Sequence, residues 1–185
     1  MKITWKPVPN FAKGREGRKI EGVVVHIAEG NFQQTYSEFL NTQKSSHYFV
    51  KENGEIVQFV KEENTAWHAG ILKKPTSTFV RARSGINPNL FTVGIEHAGT
   101  NSITEAQYLA SGELIRDICI KNGILINREY IIGHREIRSD KTCPAGIDIN
   151  KLIKYALEGE TLEKKISWFQ RQIDSLNEII SKLKK

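Results

Sequence analysis

Cysteine is scarce in this chain of 185 residues: Cys119 and Cys143 are its only two. That is too few for a disulfide framework. Long apolar runs are missing as well. The longest near the N-terminus, Gly22-Val-Val-Val-His-Ile27, falls far short of the roughly 20 residues needed to span a bilayer. The first ten residues carry Lys2 and Lys6 but no apolar stretch follows them, so no secretory signal peptide is read there. Synthesis in a reducing cytoplasm is therefore expected, which argues against pairing the two thiols. Internal repeats and low-complexity tracts are also lacking. There is no helix-turn-helix, zinc-finger or RNA-binding aromatic signature. A nucleic-acid partner is thus not expected, although 27 Lys and Arg against 21 Asp and Glu give a net charge of +6. That excess suits an anionic partner such as a charged cell wall, and it suits equally a protein that simply runs basic.

What is present reads as one α/β domain with a tail. Hydrophobic residues at 39% and charged residues at 26% are the balance of an ordinary globular protein. Residues 1–19, with Pro7, Pro9, Gly14 and Gly17, read as an irregular N-terminal arm. Residues 21–27 read as a buried strand and residues 32–42 as an amphipathic helix. Residues 47–50 and 55–60 read as a hairpin around Asn53-Gly54. Residues 64–88 have little periodicity and read as a long loop, which at that length is usually functional. Leu90 to His97 reads as a second buried strand. Thr104-Glu-Ala-Gln107 is a capping box opening a helix that runs to about Lys121 and is stopped by Gly123. A short strand at residues 130–133 and a helix near residues 148–157 complete the domain, with a central mixed sheet flanked by helices. Leu162, Ile166, Phe169, Ile173, Leu176, Ile180 and Leu183 then follow a seven-residue repeat. Residues 160–185 therefore form either a self-associating, coiled-coil-like helix or an amphipathic helix packed on its own domain.

The chemistry lies in the histidines. His26 sits near the end of a buried strand. His134 follows the short strand at 130–133, and Cys143 comes nine residues later, directly before Pro144. Two imidazoles and a thiolate are ligands that zinc prefers, and three protein ligands leave a fourth tetrahedral position open, as in catalytic sites. The spacing alone does not establish a metal site, because it is not a zinc-finger pattern.

Six short segments in order carry a family resemblance: Val24-Val-His-Ile27, Ser46-His-Tyr48, Ala66-Trp-His-Ala-Gly70, Val93-Gly-Ile-Glu96, Gly133-His-Arg-Glu136 and Lys141-Thr-Cys-Pro144. Over roughly residues 20–158 the chain resembles the type 2 N-acetylmuramoyl-L-alanine amidases, zinc enzymes that include phage endolysins and share their fold with the peptidoglycan recognition proteins. The resemblance implies a zinc-lined groove and a peptidoglycan or muropeptide substrate, cut between the lactyl group of N-acetylmuramic acid and L-alanine. It implies His26, His134 and Cys143 as zinc ligands and Glu96 and Lys141 as catalytic residues. Glu96 would take the proton of the attacking water, and Lys141 would offset developing oxyanion charge. Trp67 and His68 are read as groove residues contacting substrate. Some phage members carry a catalytic tyrosine immediately before the histidine matching His47; here Ser46 stands there, and Tyr48 reads as structural.

Three readings follow. The leading one is a wall-degrading amidase of the endolysin or autolysin kind, made without a signal peptide and reaching the wall after release. The others are a cytoplasmic amidase that recycles muropeptides and a non-catalytic peptidoglycan-binding module.

Overall fold

Val23, Val24 and Val25 are all completely buried, because their strand lies inside a sheet that is covered on both faces. Burial on both sides removes the apolar–polar alternation of a half-exposed strand and leaves a continuous apolar run. The computed structural model describes residues 2–159 together with Gln170 and Ile173. The heptad segment of residues 160–185 otherwise lies outside the described residues. Among the described residues no helix is long and apolar enough to cross a membrane.

The elements in chain order are β1 (Ile3–Trp5), β2 (Phe11–Ala12), β3 (Gly22–Ile27), α1 (Phe32–Asn41), β4 (Tyr48–Val50), β5 (Ile56–Gln58), β6 (Thr65–Ala66), α2 (Thr78–Arg81), β7 (Thr92–His97), α3 (Glu105–Asn122), β8 (Ile131–Gly133) and α4 (Ile149–Glu158). Single 3-10 turns occupy Pro88–Leu90 and His134–Glu136. Six strands form a mixed sheet in the order β1-β5-β4-β7-β3-β8, while β2 and β6 form a separate antiparallel pair. Strands β4, β7, β3 and β8 are mutually parallel, and β5 runs antiparallel to β4 through the expected hairpin.

Helices α3 and α4 cover one face of the sheet. Val23, Val25, Ile27, Val93, Ile95 and Ile131 pack there against Leu114, Ile115, Ile118 and Leu152. Full burial of each such side chain contributes about 1.5–3 kcal/mol. The capping box of α3 forms as its sequence predicts, with Thr104 and Gln107 satisfying each other's backbone donors. Gly123 ends the helix at φ 67°, a left-handed conformation that favours glycine. The opposite face carries two smaller clusters. One gathers Phe32, Phe39, Phe49 and Phe59 around α1; the other gathers Val24, Phe79, Phe91, Ile132 and Ile137 around α2.

The N-terminal segment departs from expectation. It is not an irregular arm throughout: β1 pairs in parallel with β5 and extends the main sheet by one edge strand. Its three residues are all exposed, so no burial pattern marks them in the sequence. Further along, Arg15 is only 6% exposed. Its Nε donates to the carbonyl of Glu62 at 2.6 Å, and its Nη1 lies 3.1–3.2 Å from the carbonyls of Asn89, Leu90 and Thr92. This single guanidinium ties the N-terminal segment to the chain entering β7. Arg15→Met removes every one of these donors and strands buried carbonyls, each worth roughly 1–3 kcal/mol. We expect a loss on the order of 3 kcal/mol in urea-denaturation stability; a loss below about 0.5 kcal/mol would show that the carbonyls find other partners.

Candidate metal centre

Parallel pairing of β3 with β7 places His26 directly opposite Glu96. Side chains on a strand alternate between faces, so both project to the face away from α3. His97, one residue on, faces the other way; its Nδ1 lies 2.8 Å from the His26 carbonyl and its Nε2 2.8 Å from Ser111 Oγ on α3. His134 opens the 3-10 turn that follows β8. The loop after that turn returns Cys143 to the same place, and the Arg135 amide donates to the Cys143 carbonyl at 2.7 Å. Cys143 Sγ also lies 3.4 Å from the Ile27 amide nitrogen, which donates to it.

His26, His134 and Cys143 each contribute one donor atom to a cluster in which all three lie within 4.8 Å of one another. The His26 Nδ1 to Cys143 Sγ distance is 3.8 Å. Glu96 Oε1 stands 3.9 Å from the same nitrogen. Residues 26, 134 and 143 are far apart in the chain, and the sheet together with one loop brings them together.

The electrostatics of this cluster suit a cation. Burial and the neighbouring His134, His68 and His97 hold the His26 ring well below its usual pKa. Burial pushes His134 down to about 4. Both imidazoles are therefore neutral, the form in which histidine binds metals. Burial, and then the charge of Glu96, push the Cys143 thiol up to about 12, so without a cation it keeps its proton. Burial pushes the Glu96 carboxyl up to about 8, with Glu38 adding to the effect. Its side chain is 15% exposed, yet Oε2 is buried and has no hydrogen-bond partner among the described residues. An orphaned carboxylate oxygen beside two neutral imidazoles and a thiol is the signature of a site completed by a further group. By donor type and spacing, the residues fit a zinc ion.

The other expected residues fall in different places. Lys141 is exposed on the loop between His134 and Cys143, and its charge acts on both of them. Trp67 is 36% exposed and forms part of a groove of about 910 Å³ whose walls also include Phe11, Lys44, Ile71 and Asn87. None of the metal-cluster residues lines that groove; His68, expected as a substrate contact in a zinc-lined groove, is 8% exposed and packs beneath His26, with 3.1 Å between His68 Nδ1 and His26 Nε2. The reason is its backbone: the amides of His68 and Ala69 both donate to Asn89 Oδ1, at 3.0 and 2.8 Å, which turns the ring inward. Tyr48 lies on the α3 face, where its hydroxyl donates to Glu62 Oε1 at 2.8 Å, away from the donor cluster.

Sequence reasoning missed Arg15, Asn89 and Thr92 as supports of the site. The Arg15 guanidinium and the Asn89 Oδ1 act on backbone groups of distant residues, which leave no residue pattern to find.

A family profile described as N-acetylmuramoyl-L-alanine amidase matches residues 16–146. N-acetylmuramoyl-L-alanine amidase A of Achromobacter lyticus is 30% identical over 127 residues, covering 65% of this chain and 63% of the relative. The 1,6-anhydro-N-acetylmuramyl-L-alanine amidase AmpD of Escherichia coli is 35% identical over 115 residues, covering 60% and 56%. The chain thus spans somewhat under two thirds of the length of these curated relatives. Among solved structures, a selenomethionine derivative of AmpD superposes with a TM-score of 0.66 at 22% identity, covering 83% of this chain and 93% of that one. PlyL superposes with a TM-score of 0.59 at 18% identity, covering 78% and 87%. These likenesses show the mixed sheet with flanking helices to be a shared fold. The profile match extends over well over half of the sequence, and on that ground the chain belongs to the N-acetylmuramoyl-L-alanine amidase family.

Proposed function

We propose that this protein is a zinc-dependent amidase that hydrolyses the bond between the lactyl group of N-acetylmuramic acid and L-alanine. The catalytic unit is residues 20–158. The observation that carries the reading is the meeting of His26, His134 and Cys143, with Glu96 set opposite His26 on the neighbouring strand. His26, His134 and Cys143 hold the metal. Bound zinc supplies Lewis acidity, enough to polarise an amide carbonyl and bring the pKa of a water from about 15.7 to about 7.

The chain's own residues supply the rest. Glu96 accepts the proton of the attacking water and delivers it to the departing alanine amine; its raised pKa suits a group that must both take and give a proton near neutrality. Lys141, exposed on the loop between His134 and Cys143, meets the negative charge that develops on the carbonyl oxygen. Trp67 offers an aromatic face to the muropeptide along the groove.

Two settings have support. The net charge of +6 and structural neighbours described as endolysins favour action on the wall, whose polymers are anionic. Relatives described as 1,6-anhydro-N-acetylmuramyl-L-alanine amidases favour soluble fragments. The protein is to be incubated with purified sacculi and, separately, with a soluble anhydromuropeptide, and new L-alanine amino termini counted by mass spectrometry. We expect release that a chelator stops and added zinc restores. The ratio of the two rates assigns the setting, and zinc-independent release, or none from either substrate, would refute the proposal.

A further inference from the structure

His68 makes no use of the groove and has no place in the reaction above, yet it is buried against a metal ligand. Its hydrogen bonds have a direction that can be followed from one end. The Pro88 carbonyl can only accept, and Thr92 Oγ1 lies 2.7 Å from it. The single hydroxyl proton of Thr92 is spent there. Thr92 Oγ1 is also 3.4 Å from His68 Nε2, so at that contact it can only accept. His68 Nε2 therefore carries the proton of a neutral ring, and His68 Nδ1 is left with a lone pair. That lone pair lies 3.1 Å from His26 Nε2, which must donate to it. His26 Nδ1 is then the bare nitrogen, and it is the one 3.8 Å from Cys143 Sγ.

A parallel arrangement exists for the second imidazole. His134 Nε2 lies 3.1 Å from the Ala69 carbonyl and donates to it, leaving His134 Nδ1 bare. His68 and Ala69 are adjacent, and both of their amides are held by Asn89 Oδ1. One clamped dipeptide therefore faces both histidines of the cluster. Gly94 makes room for this packing, because a Cβ there would lie 2.4 Å from His68 Cγ. This accounts for two of the motifs singled out above, Ala66-Trp-His-Ala-Gly70 and Val93-Gly-Ile-Glu96.

We infer that His68 is a positioning residue: backed by Thr92, it fixes the tautomer of His26 so that Nδ1 is the nitrogen presented to the metal, while the Ala69 carbonyl does the same for His134. The inference rests on the metal-centre reading above, but the proton positions it specifies exist in the metal-free chain. Outer groups that orient ligating histidines typically contribute 10–100-fold to metal affinity.

The test begins with long-range proton–nitrogen NMR of the histidine rings in the metal-free, full-length protein. His26 and His134 are both expected as Nε2–H tautomers. In His68→Leu, which has no acceptor, His26 is expected to become a mixture of tautomers while His134 keeps its signature. Zinc affinity is expected to fall roughly 10–100-fold, and the visible spectrum of the cobalt-substituted site to change. His68→Asn, which restores an acceptor near the position of Nδ1, is expected to recover most of both. An Nδ1–H tautomer of His26 in the parent protein overturns the inference without recourse to any variant, as does a folded His68→Leu with parental tautomer and affinity. A parent chain that shows the expected tautomers yet takes up no zinc upholds this inference and overturns the amidase reading alone.

Discussion

Glu96→Ala is expected to keep its zinc and lose nearly all turnover, with kcat on soluble muropeptide falling by about 100- to 10,000-fold, the usual contribution of a positioned acid–base group. The separation of the two effects follows from the geometry. Glu96 stands opposite His26 across two neighbouring strands, but its Oε1 remains 3.9 Å from His26 Nδ1, and its second oxygen has no partner among the described residues. Truncation therefore removes a group that neither strand pairing nor any hydrogen bond depends on. Burial disfavours its charged form, so alanine also relieves an unfavourable desolvation, and the fold is expected to be as stable as the parent or slightly more so. Metal content by atomic emission, single-turnover kinetics and thermal unfolding together decide the matter. A variant that loses zinc would make Glu96 a ligand, and one that turns over at the parental rate would place the base elsewhere.

Cys143→Ser is the second large effect, and it acts on the other half of the machinery. The thiol stays protonated in the metal-free chain because burial and the Glu96 charge oppose its ionisation. A zinc ion held as proposed would reverse that balance by favouring the thiolate, whereas a serine hydroxyl is far harder to deprotonate and a poorer match for the ion. Zinc affinity is expected to drop by more than the roughly 100-fold upper range of outer-group changes, and zinc-dependent activity to vanish with it. The variant still folds, since the loop is held by the Arg135 amide to residue 143 carbonyl bond, which the substitution leaves in place. Equilibrium dialysis against zinc measures the first effect, and parental zinc retention by a folded Cys143→Ser protein would remove Cys143 from the ligand set.

Much of this architecture could be read from residue order, and the reasons differ by element. The strand at residues 22–27 and the helix at 105–122 announce themselves through apolar density and capping chemistry, both local properties. The meeting of His26, His134 and Cys143 could be anticipated only through the six-segment family resemblance, since their spacing has no period of its own. The first strand was not legible, because three exposed residues at a sheet edge carry no alternation. The inward turn of His68 was not legible either. It depends on an amide oxygen 20 and 21 residues away, at Asn89, and on the room left by Gly94. Arg15 was not legible because its partners are peptide carbonyls and the distant His47 ring, which only the tertiary structure brings to it.

The pairing of His26 with Glu96 has a consequence for how such a scaffold tolerates change. Neighbouring strands keep a fixed spacing of about 4.8 Å whatever side chains they bear, so the gap between Glu96 and His26 is set by peptide geometry. Trp67, Ile71 and Lys141, by contrast, lie on connecting segments. Insertions, deletions and exchanges in those connections can reshape the groove around Trp67 and Ile71 while the spacing of Glu96 and His26 stays constant. In the proposed reaction, specificity and chemistry would thereby fall to separable parts of one small domain.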